Sequence, residues 1–396
     1  MSADSKRLAS IVLLGLLVRL AVAAALGGGF HFADETLYVD AARGLLHGGS
    51  FDPAYERVPG YPVLLALLGF PAPDSVLWLR VAQAVLTTAG VALTFFVGDR
   101  LIGRQAALAA AGVYALDPLT AVSAALLYPE ASAALFLAAA TLAAVEAARR
   151  DSTALSAVAG AVLGILALSR PAALAVVPVA AAWTAYVAPS MPLRRAGHAA
   201  VVVLVCLLVL APWTYRNYQL QGRIVVVSNV GTKFAGPTKE HGVAGALVVV
   251  ATRNPLGFAR RVGREFAYFW ELFPHRLQTD DPGTRQALHR RNPRLPTTPL
   301  APRSLRDVVA ATASGIELLL ALVGLVVLWR SRRREAVLLA GMILAFALGH
   351  ALFVGRMRYR ITVLPLVFVL AGAGLATLQA ALAGRLGRSR LDPATG

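Results

Sequence analysis

LASIVLLGLLVRLAVAAALGGGFHFADETLY, residues 8–38, reads as one crossing of a membrane followed by an acidic exit. Residues 8–26 are apolar except for Arg19 and Ser10. At 1.5 Å per residue such a helix covers most of a hydrocarbon core of about 30 Å. Gly27 to Gly29 form a flexible exit, and Asp34 and Glu35 stand just beyond it. The rest of the chain has the same character: of 396 residues, 57% are hydrophobic and only 15% charged, with a mean hydropathy of +0.65. A soluble domain carries nearer ~25% charge and a disordered chain is far less apolar, so the composition specifies an all-α polytopic membrane protein. The net charge of +17 belongs with cytoplasmic loops and anionic lipid rather than with nucleic acid. The single cysteine, Cys206, lies in an apolar run, which excludes an intrachain disulfide framework and a Cys-based zinc cage.

Working outward, about ten spans are expected, at residues 8–26, 76–98, 105–126, 129–148, 152–168, 171–188, 197–213, 308–330, 335–354 and 361–383. Alternate connections are basic: Lys6 and Arg7, Arg100 and Arg104, Arg149 and Arg150, Arg194 and Arg195, Arg332 to Arg334, and Arg385, Arg388 and Arg390. By the positive-inside rule both termini are cytoplasmic. The first span is read as an uncleaved helix, because its removal would upset the agreement of every later loop with that rule. Two longer segments remain outside. The first holds Asp34, Glu35, Asp40, Asp52, Glu56 and Arg57, and an apolar piece from Tyr61 to Phe70 too short to span. The second places Phe258, Val262, Phe266 and Phe269 at helical spacing away from Arg260, Arg261 and Arg264, the pattern of an amphipathic helix at the membrane surface. Within the membrane, Arg19 and Asp117 fall at matched depths, which predicts a buried ion pair.

No P-loop, dinucleotide fingerprint or HExxH motif is present. The Asp34-Glu35 pair stands at a membrane–water boundary, where partial desolvation would raise a carboxylate's basicity toward that of a general base. The plainer alternative is a helix N-terminal cap. Arg57 precedes Pro59 and Pro62 and suits bidentate capture of a phosphate, or pairing with Asp52 or Glu56. Arg356, Arg358 and Arg360 enter the last span from the external side, against the charge rule, and so ask for an anionic partner. Glu130 opens the fourth span, where it caps a helix or reaches the same cavity as Asp34.

Taken in order, Asp34-Glu35, Arg57 before Pro and Tyr, Pro129-Glu130, Ser169-Arg170-Pro171, Pro212-Trp213-Thr214-Tyr215-Arg216-Asn217-Tyr218, Ser228-Asn229-Val230-Gly231 and Arg358-Tyr359-Arg360 form a series. That series resembles the GT-C superfamily of integral membrane glycosyltransferases, in the bacterial branch holding protein O-mannosyltransferases and the lipid A aminoarabinose transferase. The resemblance implies inverting transfer of a sugar, hexosyl or pentosyl, from a polyprenyl-phosphate carrier to a hydroxyl of a protein, lipid or glycan outside a bacterial cytoplasmic membrane. It assigns Asp34 as catalytic base, Glu35 as its supporting neighbour, Glu130 as a second acidic residue of the cavity, and Arg57, Arg358, Arg360 and Arg216 to the donor phosphate. This chain departs in carrying Val58 where relatives have the first Pro of a pair.

On this reading, residues 1–26 are the first transmembrane helix, 27–75 an external catalytic loop with interfacial helices, and 76–213 helices two to seven. Residues 214–307 are a large external loop, 308–383 helices eight to ten, and 384–396 a cytoplasmic tail. No metal is demanded, although a divalent cation at Asp34 and Glu130 would leave only an oxygen-ligand signature. The rival from another class is a transporter or flippase of lipid-linked sugars. It would place polar groups near mid-membrane in symmetry-related halves, whereas here they gather at the external boundary.

Overall fold

The computed structural model describes residues 3–51, 57–72, 74–189, 191–222, 224–227, 245–273, 282–298 and 303–389, and among them the chain is helical with no strand. In order the helices are α1 (Ala3–Leu26), α2 (Ala33–Gly48), α3 (Gly60–Gly69), α4 (Val76–Leu101), α5 (Arg104–Leu116), α6 (Pro118–Ala125), α7 (Pro129–Arg150), α8 (Thr153–Ser169), α9 (Val177–Val187), α10 (Pro192–Gln221), α11 (residues 245–253), α12 (Pro255–Trp270), α13 (Pro282–Arg291), α14 (Arg303–Ser331), α15 (Arg333–Ala351) and α16 (Leu364–Ser389). Each expected span is occupied by helix. Among the described residues seven helices are long and apolar enough to cross a membrane, and α5 with α6 makes an eighth when the bent pair counts as one. The fifth and sixth expected spans fall short of that length: they are α8 and a 3-10 turn, Pro171–Ala175, leading into α9. Asp52, Glu56 and the Ser228-Asn229-Val230-Gly231 motif lie outside the described residues.

α7, rich in alanine, is buried nearly all round and forms the centre of the bundle. At the end where α7 begins, α2, α3 and the start of α4 make a separate small core from Tyr38, Tyr61, Leu65, Leu79, Leu127 and Tyr128. α12 is the expected amphipathic helix, with Phe266, Phe269 and Trp270 turned into the main core against α15 and the 3-10 turn Met357–Val363.

The expected Arg19–Asp117 ion pair is not formed. α5 and α6 meet at 55° because Pro118 interrupts the helix, leaving the last carbonyls of α5 without helical donors. Buried Arg19 donates to those carbonyls, Tyr114 O at 3.2 Å and Ala115 O at 3.5 Å, and to Gly15 O at 3.0 Å. Asp117 instead caps α6, accepting from Leu119 N–H at 3.3 Å and Thr120 N–H at 2.8 Å. The two side chains are engaged separately, Arg19 by the carbonyls at the break and Asp117 at the start of α6.

Small residues set the closest helix crossing. A Cβ at Gly324 of α14 would stand 1.8 Å from Leu370 O of α16, and one at Gly374 would stand 2.2 Å from Leu320 O. Gly324→Ala is expected to cost about 1–3 kcal/mol, read as a lower Tm of the detergent-solubilised protein. Gly44→Ala, whose Cβ would meet nothing within 4 Å, serves as the control. Equal Tm values for the two variants would refute this account of the crossing.

Candidate active site at one end of the bundle

The local sequence of α2 divides its two acidic residues between different tasks. Glu35, at the third helical position, accepts the N–H groups of His31 at 2.7 Å and Phe32 at 3.1 Å through Oε2, closing the helix start. Its Oε1 accepts Leu127 N–H at 3.0 Å and Arg80 Nη1 at 2.9 Å. Arg80 and Glu35 are both fully buried. The remaining donors of Arg80 reach Gly27 O at 3.2 Å, Ala125 O at 2.7 Å and Gly29 O at 2.6 Å. Gly27 to Gly29 are therefore stitched to α4, rather than serving only as a flexible exit. Alongside, Tyr61 donates to Gln83 at 2.6 Å, and Gln83 donates to Leu126 O at 2.7 Å.

With Glu35 turned inward, Asp34 projects to the other side of α2, where its carboxylate is bracketed by two arginines. Arg57 Nη2 lies 3.3 Å from Oδ1, and Arg358 Nη2 lies 3.1 Å from Oδ2. Arg358 Nε is also 3.4 Å from Glu130, which pairs in turn with Arg170. Glu130 is buried, whereas the Asp34 and Arg57 side chains are 30% and 43% exposed, so the cluster runs from a closed floor to an open mouth. Three guanidinium groups face two carboxylates, an excess of one positive charge.

Aromatic rings back the arginines. Arg57 lies 5.4 Å from the Tyr38 centroid, Arg358 lies 4.7 Å from Tyr128, and Arg170 lies 4.8 Å from Tyr359. Burial alone would raise the Asp34 pKa, but Arg358 and then Arg57 outweigh it and hold the carboxyl below its ordinary value. The raised basicity expected from desolvation is thus reversed in this arrangement. Burial pushes Tyr38 and Tyr128 upward, so both stay neutral hydrogen-bonding groups.

The structure brings together Asp34, Glu130, Arg57 and Arg358 of the sequence-predicted set, with Glu35 behind them as a buried support. Arg360 is directed elsewhere: it is buried, donating to Ser314 Oγ at 2.6 Å and Glu271 O at 3.0 Å. Arg216 sits over the Trp213 ring at 4.4 Å. Arg170 and Arg80 carry parts of the cluster that the sequence reading left without a role. Their signal was a charge inside or against an apolar run, which is costly unless partnered. Asp34 and Glu130 are each engaged by guanidinium groups and Arg358 stands between them, a poor donor set for a divalent cation. Among the described residues no group of three or more His, Cys, Asp or Glu side chains converges.

Residues 63–215 match the family described as dolichyl-phosphate-mannose-protein mannosyltransferase. No curated protein matches the chain by sequence. Among solved structures, the oligosaccharyltransferase AglB of Archaeoglobus fulgidus, in complex with an inhibitory peptide and a dolichol-phosphate, superposes with a TM-score of 0.62 at 14% identity, covering 100% of this chain and 53% of that one. ArnT of Cupriavidus metallidurans in the apo state gives 0.59 at 18% identity, covering 97% of this chain and 62% of ArnT. The same protein bound to undecaprenyl phosphate gives 0.57 at 16%, covering 95% and 61%. The chain thus spans between about half and three fifths of these proteins. By the arrangement of its helices the chain shares the polytopic GT-C fold of AglB and ArnT, and within that fold residues 63–215 are similar to the mannosyltransferase family.

Proposed function

We propose that this protein transfers a sugar from a polyprenyl-phosphate-sugar to an acceptor hydroxyl at the external face of the membrane, with inversion. The observation that carries this is the carboxylate of Asp34 held between Arg57 and Arg358 at the open end of the bundle. The structural neighbours support a phosphate-bearing lipid as ligand: one ArnT structure holds undecaprenyl phosphate, and the AglB structure holds a dolichol-phosphate. The basic loops fall at the other end of the helices, which by the positive-inside rule supports cytoplasmic termini and an external site.

A donor phosphate arriving at Arg57 and Arg358 competes with Asp34 for the same guanidinium groups. As its negative charge replaces theirs in the balance around Asp34, the proton affinity of the carboxylate rises. The base therefore becomes effective only when the donor is in place. The acceptor O–H gives its proton to Asp34, its oxygen bonds to the anomeric carbon, and the bond from that carbon to the phosphate oxygen breaks. Polyprenyl phosphate departs with the electron pair, its charge stabilised by Arg57 and Arg358. Arg170, through Glu130, holds Arg358 from behind.

Purified protein incubated with a panel of hexosyl and pentosyl polyprenyl phosphates tests the reading by mass analysis of donor and acceptor. Consumption in detergent separates transfer from translocation, because a flippase leaves its donor chemically intact. An intact panel in the presence of protein, lipid and glycan acceptors would refute the transferase reading. Arg358→Ala is expected to weaken donor binding by roughly 10- to 150-fold, the equivalent of about 1.5–3 kcal/mol for a charge-assisted contact. Arg358→Lys should restore only part, since an ammonium lacks the planar fork. Normal donor affinity in Arg358→Ala would remove that residue from the phosphate site.

A further inference from the structure

Arg358 is carried by the 3-10 turn Met357–Val363, which follows an irregular stretch, and something must set its position. Between α15 and the 3-10 turn Met357–Val363 the chain leaves helical geometry, with Arg356 in an extended conformation at the start of the turn. α12 grips this segment on both sides of Arg358. Glu265 Oε2 accepts Gly355 N–H at 2.8 Å in a buried contact, three residues before it. Arg261 Nη2 donates to Phe353 O at 3.1 Å. Two residues after Arg358, Arg360 Nη1 donates at 3.0 Å to the carbonyl of Glu271, the residue immediately after α12. The approach is close enough that a Cβ at Gly355 would lie 1.7 Å from Glu265 O. A stack of rings runs parallel to it: Phe269 of α12 lies 6.1 Å from His350, which stacks on Tyr359 at 4.4 Å, next to Arg358 in the chain.

We infer that Glu265 is a positioning residue for Arg358, and that α12 is the clamp which fixes the cation of the donor site from outside the membrane-spanning bundle. This rests on the proposed donor-binding role of Arg358. A carboxylate buried against a backbone N–H holds a charge-assisted bond in a low-dielectric setting, so the segment it grips has little freedom. Arg358 stands between Asp34 and Glu130 and must turn the same guanidinium to an incoming phosphate, and the clamp supplies the restraint that keeps it there. Arg360 gains a role by the same geometry, as the second anchor of the turn rather than a phosphate ligand.

The test compares steady-state and product-inhibition constants of detergent-purified, monodisperse variants. Glu265→Ala is expected to raise donor KM and the inhibition constant of polyprenyl phosphate about 10-fold while kcat changes far less, the split expected for lost donor positioning. Glu265→Gln, whose amide oxygen still accepts Gly355 N–H, should recover most of that loss. In the Arg358→Ala background, Glu265→Ala should add nothing, because its effect passes through the missing guanidinium. If Glu265→Ala does not yield monodisperse protein, Arg261→Ala loosens the same segment and is read against the same three criteria. An additive penalty in the double variant, a loss in kcat alone, or wild-type constants would overturn the clamp. Arg358→Ala impaired with Glu265→Ala normal refutes the clamp alone, whereas Arg358→Ala normal refutes the donor-site reading on which it rests.

Discussion

Asp34→Asn is expected to lower the single-turnover rate at saturating donor by about 10²- to 10⁴-fold, the range for loss of a general base. Donor affinity should not fall, and a gain is consistent with the geometry, since Arg57 and Arg358 lose the carboxylate that competes with phosphate. The acid side follows from sign. A carboxyl held below its usual pKa contributes stability that is full above the unfolded value of 3.8 and disappears as pH falls through the depressed one. Asp34 is therefore ionised throughout the neutral range in the free protein. Rapid-quench assays on monodisperse protein decide the matter, and a wild-type rate in Asp34→Asn would exclude Asp34 from the chemistry.

Arg80→Ala is expected to have the largest effect on stability. It removes one partner of a fully buried ion pair and strips donors from three backbone carbonyls. Breaking such a pair typically costs about 3–5 kcal/mol, because the remaining charge is left uncompensated. The loss should appear in yield and Tm, with turnover per folded molecule much less affected. Glu35→Gln should move in the same direction, since one amide oxygen cannot replace two carboxylate oxygens that between them accept four donors. Unchanged thermal stability in Arg80→Ala would contradict the supporting role assigned to this pair.

The spans were readable because apolar run length is a property of local sequence, and the acidic exit of residues 27–38 was readable because its charges break that run. What divided Asp34 from Glu35 was not. Adjacent residues on a helix are turned about 100° apart, and only Arg80, distant in sequence, shows which of them faces inward. The same limit explains Arg358 and Arg360, which look equivalent in sequence. In a 3-10 turn, residues two apart point to different sides, so one meets Asp34 and the other meets Ser314. Glu130 was visible as a charge at a helix start, but its joint contact with Arg170 and Arg358 depends on three separate elements. The Arg19–Asp117 expectation failed for a related reason: depth along the membrane normal says nothing about azimuth, or about carbonyls set free by a proline.

The Arg19 arrangement also bears on biogenesis. An arginine near the centre of a single apolar helix costs about 2.5–3.5 kcal/mol on insertion, and the carbonyls of Tyr114 and Ala115 that compensate it are translated 95 and 96 residues later. It follows that α1 leaves the ribosome as an incomplete membrane segment, with its guanidinium drawn toward the headgroups. Only when the nascent chain has delivered the break at Pro118 does that side chain find its seat. The final seating of α1 therefore waits on α5 and on the break that follows it, both of which come later in the chain.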